Sequence, residues 1–154
     1  MNETENIKLR PLGAEDIPLV KGFFDAMGGE SRSVFNRRDY NRKGALKYCT
    51  NPDENRRYWI ALLNGEMVGY VFFWDWNTSI PELGVAVRDD LQGRHLGRQL
   101  VSFAIEQVKA AGKGGIQLTT HTANLRAQAL YEAMGFVCRG LCKNATELFY
   151  VYRF

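Results

Sequence analysis

The chain has 154 residues, of which 45% are hydrophobic and 24% charged, and its formal net charge is +3. These values are typical of one globular domain, so we predict a single domain over residues 1–154 and no nucleic-acid partner. No apolar run reaches the length of a membrane span and the first residues are unlike a signal peptide, so we expect a cytoplasmic protein without membrane contact. One small basic cluster lacks any nucleic-acid recognition motif: Arg37, Arg38, Arg42 and Lys43.

Cysteine and histidine are few. Cys49, Cys138 and Cys142 form an odd set without Cys-x-x-Cys spacing, which favours free thiols in a reducing compartment. Only His95 and His121 could join them as metal ligands, and no ligand spacing is present. We therefore predict no metal site.

The first third of the chain is predicted to form one strand and two helices. Residues 7–10 alternate apolar and charged side chains, as a strand does. Residues 14–27 have apolar side chains at helical spacing, with Pro18 in the first turn. Residues 31–48 are polar and basic, with a weak helical period. A solvated helix face is the favoured interpretation, and a flap over an acceptor site is the alternative.

A hairpin follows. Residues 58–63 and 67–74 are predicted strands, and the Asn-Gly dipeptide between them is a strong turn signal. Residues 74–78 begin a second hairpin loop that contains two tryptophans. These side chains either line a substrate pocket or, as is more common, cap the edge of a sheet.

The centre of the chain is a predicted strand, turn and helix. Residues 83–87 are rich in valine and form the strand, and residues 88–93 form a polar turn. From Leu96 to Val108 apolar side chains recur with a 3.6-residue period, and Gly112 is placed to end this helix.

The last third is predicted to contain a strand, a helix and two further strands. Residues 116–120 form the strand, and Asn124 caps a helix over residues 125–134. Residues 136–140 and 147–152 are the final strands. The resulting order is β-α-α-β-β-β-α-β-α-β-β, which predicts an α/β fold with one mixed sheet, helices on both faces and a right-handed parallel crossover from residue 83 to residue 120.

The start of the central helix has the features of an anion site. Free backbone N–H groups and a partial positive charge lie at a helix N-terminus, and Gly93 and Gly97 would allow an anion to approach the backbone. Arg94 and Arg98 add positive charge. A solvated loop with two turn glycines explains this stretch equally well. Neither a Walker A loop nor the dinucleotide G-x-G-x-x-G is present.

Two blocks together resemble the GNAT superfamily of acyl-CoA N-acyltransferases. Residues 92–97, Gln-Gly-Arg-His-Leu-Gly, resemble the cofactor loop Gln/Arg-x-x-Gly-x-Gly/Ala, with a departure at His95 where the family usually has glycine. Residues 124–136 resemble the segment Asn-x-x-Ala-x-x-Leu-Tyr-x-x-x-Gly-Phe. The blocks occur in the family's order and about thirty residues apart.

The resemblance implies a GNAT-like fold, in which a central mixed sheet splayed at its middle is flanked by helices and acyl-CoA enters beside the central strand. It also implies an N-acetyltransferase that moves an acetyl group from acetyl-CoA to a primary amine of a small molecule or peptide by direct attack. A monomer or a homodimer would be compatible with this activity. The alternative is a CoA-binding pseudoenzyme or regulatory module.

The same resemblance implies which residues hold the cofactor. Backbone groups of Val85, Ala86 and Val87 would bind the pantetheine chain and polarise the thioester carbonyl. The loop and helix start would bind the pyrophosphate through Gln92, Gly93, Arg94, His95, Leu96, Gly97 and Arg98. The second block would contribute Asn124, Ala127 and Tyr131, although Asn124 cannot fully bind cofactor and cap its helix at once.

Two residues are candidates for the chemistry. An acceptor amine with a pKa of about 10.4 must lose a proton, which costs about 4.6 kcal/mol at pH 7. Glu82 begins the central strand on the face of Gly84 and Ala86 and is the first candidate base. The alternative is that Glu82 is only a solvated glutamate at the end of a strand. Asp75 is the second candidate base.

Tyr131 is implied by the resemblance as the acid for the departing thiolate. A phenol is a weaker acid than a thiol, so Tyr131 is expected to donate a hydrogen bond to the thiolate rather than to protonate it fully. His95 is the irregular position: a positive φ there would disfavour histidine and weaken CoA binding, or else the imidazole would lie beside a phosphate.

Overall fold

The computed structural model describes residues 6–26, 37–91 and 95–154. These residues form a seven-stranded mixed sheet with four α-helices. The strands are β1 (Lys8–Pro11), β2 (Arg57–Leu63), β3 (Glu66–Trp74), β4 (Glu82–Val87), β5 (Gly115–His121), β6 (Val137–Cys142) and β7 (Glu147–Arg153). The helices are α1 (Ile17–Asp25), α2 (Arg37–Thr50), α3 (Leu96–Ala110) and α4 (Leu125–Ala133).

The sheet order is β1-β2-β3-β4-β5-β7-β6. The pairs are antiparallel except for β4 and β5, which are parallel and are connected through α3. Within the described part of the chain, β4 and β5 pair only at Glu82 and Gln117. Beyond that point the two strands separate, so the predicted splay at the middle of the sheet is confirmed.

Two apolar cores lie on opposite faces of the sheet. On one face the core includes a helical stripe of α3, in which Leu96, Leu100, Ala104 and Val108 are at most 1% exposed. Fully burying such side chains contributes about 1.5–3 kcal/mol each. The opposite face is covered by α1 and α2. Phe23 and Phe24 of α1 pack with Tyr70 and Phe72 of β3.

The register between β3 and β4 fixes which way each side chain of β4 points. Glu82 lies opposite Trp74, and Gly84 lies opposite Phe72. Glu82, Gly84 and Ala86 share one face, as predicted, because successive strand residues alternate between faces. This is the face that α1 and α2 cover. Only glycine fits at residue 84, because a Cβ there would lie 2.7 Å from Phe72 Cδ1.

The element order was predicted correctly, and most bounds differ by one or two residues. Gly112 and Gly135 have φ of +74° and +101° after α3 and α4, which confirms their role in ending these helices. The described part of α2 covers Arg37–Thr50 and so continues two residues beyond the predicted end at residue 48. Residues 31–36, where this helix was predicted to begin, lie outside the described residues.

Strand β6 runs further than predicted and contains a bulge between Cys138 and Gly140, where the glycine has a φ of +116°. Among the described helices, none combines the length and the apolar character needed to cross a membrane.

Candidate active site

A cavity of about 1110 Å³ opens where β4 and β5 separate. Most of the site residues expected from the sequence line it: Asp75, Glu82, Val85, Ala86, Val87, His95, Gly97, Arg98, Asn124, Ala127 and Tyr131. Leu96 does not, because its side chain is buried in the core. Gln92, Gly93 and Arg94 lie outside the described residues. The two sequence blocks, far apart in the chain, thus lie on the walls of one cavity.

The backbone of β4 presents amide groups to this cavity at alternate residues. The N–H of Arg88 donates to Val68 O of β3 at 2.8 Å, and Pro81 O accepts from Gln117 N–H of β5 at 3.1 Å. Because N–H and C=O groups alternate sides along a strand, Val85 and Val87 direct theirs toward the gap. By the same alternation Ala86 directs its N–H toward β3, so Val85 and Val87 are the residues of this trio whose backbone groups point toward the gap.

The N-terminus of α3 forms the positively charged end of the cavity. His95 is the N-cap residue and its side chain makes no cap hydrogen bond. Arg98 lies about one turn into the helix and also lines the cavity. A Cβ on Gly97 would lie 3.1 Å from Leu130 Cδ2, so this glycine allows α3 and α4 to approach closely. The helix dipole and the cation together suit an anionic group.

His95 adopts the left-handed conformation, with φ of 63° and ψ of 9°. That conformation costs a non-glycine residue about 1–2 kcal/mol, whereas glycine costs about 0.5–1 kcal/mol in backbone entropy. We expect His95→Gly to raise Tm by about 1–3 °C, and His95→Ala, which keeps the strain, to leave Tm at or below that of the wild type. A lower Tm for His95→Gly would contradict the strain argument. Weaker acetyl-CoA binding by both variants would indicate that the imidazole contacts the cofactor.

Helix α4 forms the second wall. Asn124 Oδ1 accepts a hydrogen bond from Ala127 N–H at 3.1 Å, so this side chain caps the helix. The amide nitrogen of Asn124 is the group that remains for a ligand. One face of α4 carries Tyr131, which lines the cavity and is 8% exposed. Its ring packs against Phe136 and Tyr150, with centroids 5.7 Å and 6.2 Å away.

Burial raises the pKa of Tyr131 to about 12. A thiol has a pKa of about 8.5, so full proton transfer from this phenol to a thiolate is uphill by about 5 kcal/mol. The hydroxyl therefore stays protonated across the physiological range and is a permanent hydrogen-bond donor. The raised pKa therefore favours the prediction that Tyr131 donates a hydrogen bond to the thiolate rather than protonating it.

Two carboxylates were predicted as candidates for the base, and both line the cavity. Glu82 is partly buried in the wall, at the residue where β4 and β5 last pair. Asp75 is exposed in the β3–β4 turn, with a φ of 54°. Its main-chain oxygen accepts hydrogen bonds from the backbone N–H and the hydroxyl of Thr78. The position of Glu82 at the start of the gap favours it over Asp75.

The two tryptophans of the β3–β4 region have different positions. Trp74 lines the cavity, and its ring centroid lies 3.8 Å from that of Phe72, which stacks on Tyr58. Trp76 packs on the other face, against Trp59 and Phe73. Trp74 therefore lies in the cavity wall, as the first interpretation requires, whereas Trp76 packs on a face of the sheet and does not cap its edge.

Several lining residues were not found from the sequence, among them Asn41, Tyr70, Phe72, Thr119, His121, Lys143 and Glu147. His121 and Glu147 reach the cavity through the pairing of β5 with β7, which places them opposite each other. Lys143 lies in the turn between β6 and β7. Period-two alternation along both strands was available as a signal. It could not be used without knowing which strands pair.

Comparison with known proteins places the chain in a family. Residues 22–136 match the model of the acetyltransferase (GNAT) family. The chain is 25% identical over 149 residues to an L-methionine sulfoximine/L-methionine sulfone acetyltransferase from Pseudomonas paraeruginosa, covering 92% of this chain and 86% of that protein.

Solved structures share the fold. The GNAT domain of S. lividans PAT superposes with a TM-score of 0.81 at 16% identity, covering 96% of this chain and 90% of that one. The PaiA N-acetyltransferase from Thermoplasma acidophilum, in complex with coenzyme A, has a TM-score of 0.75 at 16% identity and covers 96% and 99%. At these identities the likeness concerns the fold alone.

Proposed function

Because the chain belongs to the GNAT acetyltransferase family and is an acetyltransferase enzyme, we propose that it moves the acetyl group of acetyl-CoA to a primary amine by direct attack. The observation that carries this proposal is the meeting of Glu82 and Tyr131 in one cavity at the gap between β4 and β5. One residue would receive the proton of the amine, and the other would stabilise the leaving thiolate.

The fit of acetyl-CoA follows from the donors that line the gap. The N-terminus of α3 and Arg98 would hold the pyrophosphate. The backbone of Val85 would pair with the pantetheine chain, and its N–H would stabilise the oxyanion formed from the thioester carbonyl. The structure of PaiA with coenzyme A supports the same cofactor here. Acetyl-CoA supplies the activated acetyl group.

The reaction follows from these positions. Glu82, directly or through a water molecule, accepts a proton from the ammonium and leaves a neutral amine. The amine nitrogen bonds to the thioester carbon and becomes positively charged. The oxyanion collapses as the carbon–sulfur bond breaks, and the nitrogen loses its extra proton to water, from which the released thiolate can be protonated. Tyr131 donates a hydrogen bond to the sulfur that leaves with the electron pair.

Direct attack is favoured over an acetyl-enzyme intermediate. A covalent route needs a nucleophile such as a cysteine thiolate in the cavity. None of Cys49, Cys138 and Cys142 is among the residues that line it. Ternary-complex kinetics are therefore expected, and acetylated protein should not accumulate when acetyl-CoA is added alone.

The candidate acceptors include more amines than those in the name of any one relative. The Pseudomonas paraeruginosa acetyltransferase acts on L-methionine sulfoximine and L-methionine sulfone by its name, so an amino-acid-like amine is one candidate, beside other small-molecule or peptide amines. We further propose one domain over residues 1–154, active in the cytoplasm as a monomer or homodimer.

A thermal shift is the first test. At a hundred times Kd, acetyl-CoA should stabilise the protein by about 2.7 kcal/mol, which corresponds to a rise in Tm of several degrees. ATP and NAD are the controls and should give no comparable rise. An amine panel read by release of free CoA thiol then tests transfer. A shift without thiol release from any amine would instead favour a CoA-binding pseudoenzyme.

A further inference from the structure

The cavity wall contains a phenol that the proposed mechanism does not use. Tyr70 of β3 lines the cavity and is 6% exposed. Its ring packs against the rings of Phe23, Phe24 and Phe72, with centroids 5.7, 6.0 and 6.2 Å away. These neighbours are apolar and give the hydroxyl no hydrogen-bond partner. A hydroxyl that is buried without a partner is costly, so this one calls for an explanation.

The hydroxyl of Tyr70 opens to the cavity. Within residues 6–26, 37–91 and 95–154 it makes no hydrogen bond, and no side-chain polar atom there is both fully buried and unpaired. Both observations hold only if the hydroxyl reaches the space of the cavity. A polar group that is surrounded by aromatic rings and open only toward a cavity is well placed to bind a ligand.

Tyr70 lies beside the point where the thioester is expected. It is opposite Ala86 of β4, and the neighbouring pair is Val71 and Val85. Val85 directs its backbone N–H toward the gap between β4 and β5, where the proposed function places the thioester carbonyl. The side chain of Tyr70 is thus one residue pair away from that carbonyl, on the face of the sheet that α1 and α2 cover.

The phenols of Tyr70 and Tyr131 lie on opposite faces of the sheet. Tyr131 belongs to the core on the face of α3, whereas Tyr70 belongs to the core on the face of α1 and α2. Both line the same cavity, so the cavity passes through the gap from one face to the other. The proposed function assigns Tyr131 to the sulfur of acetyl-CoA. An amine that attacks the thioester from the opposite face arrives beside Tyr70.

Electrostatic effects keep the Tyr70 hydroxyl protonated and indicate that it lies near Tyr131. Burial raises the pKa of Tyr70 well above its usual value, and the phenols of Tyr58 and Tyr131 raise it further. The pKa of Tyr131, raised to about 12, is the lower of the two, so its phenolate would form first and oppose the ionisation of Tyr70. This effect requires the two hydroxyls to be within electrostatic range. A neutral phenol hydroxyl can accept a hydrogen bond as well as donate one.

We propose that Tyr70 is a further catalytic residue, whose hydroxyl oxygen accepts a hydrogen bond from an N–H of the attacking amine and directs the nitrogen lone pair at the thioester carbon. The inference rests on the proposed acetyl transfer and adds to it a group that holds the nucleophile. The nitrogen becomes positively charged as its bond to carbon forms, and the hydroxyl oxygen stabilises that charge. The role is the same whichever group receives the proton of the ammonium.

Tyr70→Phe tests this role, because the substitution removes only the hydroxyl. Thiol release is measured for each amine of the panel that the wild type acetylates. We expect kcat/KM for the amine to fall by about 10- to 100-fold, as for the loss of one hydrogen bond to a charged group, and the Kd for acetyl-CoA to remain unchanged. The loss should be similar for every amine, since the contact is with the nitrogen that they share.

Stability and pH provide two further readouts. The Tm of Tyr70→Phe should equal or exceed that of the wild type, because the hydroxyl has no described partner in the free protein. The loss in kcat/KM should be constant from pH 6 to pH 9, because the hydroxyl stays protonated. Tyr58→Phe is the matched control and should retain kcat/KM: Tyr58 belongs to the same core, is 5% exposed and is not among the described residues that line the cavity.

Several results would overturn this inference. Full activity of Tyr70→Phe, or equal losses in Tyr70→Phe and Tyr58→Phe, removes the catalytic role and leaves the acetyl transfer intact. A Tm several degrees below that of the wild type would assign the hydroxyl to the support of the fold. A loss confined to some amines would mean contact with another polar group of the acceptor. A loss that disappears as the pH rises would mean that Tyr70 assists deprotonation instead. Absence of thiol release by the wild type with every amine defeats both this inference and the proposed function.

Discussion

Tyr131→Phe is expected to lower kcat by about 10- to 100-fold with little change in the affinity for acetyl-CoA. A hydrogen bond to a charged group contributes about 1.5–3 kcal/mol, and the sulfur becomes charged only as the carbon–sulfur bond breaks. The ring packs against Phe136 and Tyr150 through its carbon atoms, so phenylalanine should preserve the fold. Steady-state kcat and the Kd for acetyl-CoA, measured on the same preparation, separate catalysis from binding.

The raised pKa of Tyr131 adds a pH dependence to this prediction. Since the phenol has a pKa of about 12, it remains a donor from pH 6 to pH 10. The wild-type kcat should therefore not fall over that range through loss of this proton, and the effect of Tyr131→Phe should be constant with pH. A Tyr131→Phe defect that disappears above pH 9 would contradict the assignment.

Tyr150→Phe is the matched control, because Tyr150 is a buried neighbour of Tyr131 and is not among the residues that line the cavity. It should retain kcat. Equal losses in both variants would mean that removal of a hydroxyl disturbs the packing of this region. Equal activity of Tyr131→Phe and the wild type would remove the role of Tyr131 altogether.

Local patterns predicted the parts of the site that lie within continuous stretches of chain. The strand, turn and helix around residues 83–108 have a clear change of period, from two to 3.6, and this change located β4 and α3. Asn124 and Gly135 similarly located α4 through its ends. These features depend on interactions between near neighbours, which a single sequence displays directly.

The remaining features depend on pairing between distant strands. Glu147 reaches the cavity only because β7 inserts between β5 and β6, and no local pattern specifies that order. The ring of Phe72 lies against Gly84 because β3 and β4 adopt one particular register. The orientation of the Ala86 amide toward β3 follows from the same register. Strand order and register arise from burial over the whole sheet, so they could not be derived residue by residue.

Glu82→Gln is expected to reduce kcat/KM at pH 7 by about 10²–10³-fold, within the usual range for removing a general base. The substitution preserves the shape of the side chain and removes its ability to accept a proton. At pH 7 only about one in 2,500 molecules of an amine with a pKa of about 10.4 is neutral. The variant would depend on that small neutral fraction, whereas the wild type generates the neutral amine within the cavity.

The pH profile distinguishes loss of a base from a general defect. The neutral fraction of the amine rises about tenfold per pH unit below its pKa, so the activity of Glu82→Gln should rise with that slope from pH 7 to pH 9. The ratio of wild-type activity to variant activity should therefore fall as the pH rises. A ratio of the two activities that is constant with pH would indicate that Glu82 orients the acceptor or supports the cavity wall. Full activity of Glu82→Gln at pH 7 would exclude Glu82 from the reaction.

Asp75→Asn is the informative partner variant. Asp75 also lines the cavity but is exposed in the β3–β4 turn, where its carboxylate faces solvent and does not lie at the start of the gap between β4 and β5. We expect its loss to be less than about threefold, since a catalytic carboxylate must lie within hydrogen-bond reach of the reacting nitrogen or one water away. A larger loss for Asp75→Asn than for Glu82→Gln would exchange the two assignments and move the reacting nitrogen from the gap between β4 and β5 to the rim of the cavity.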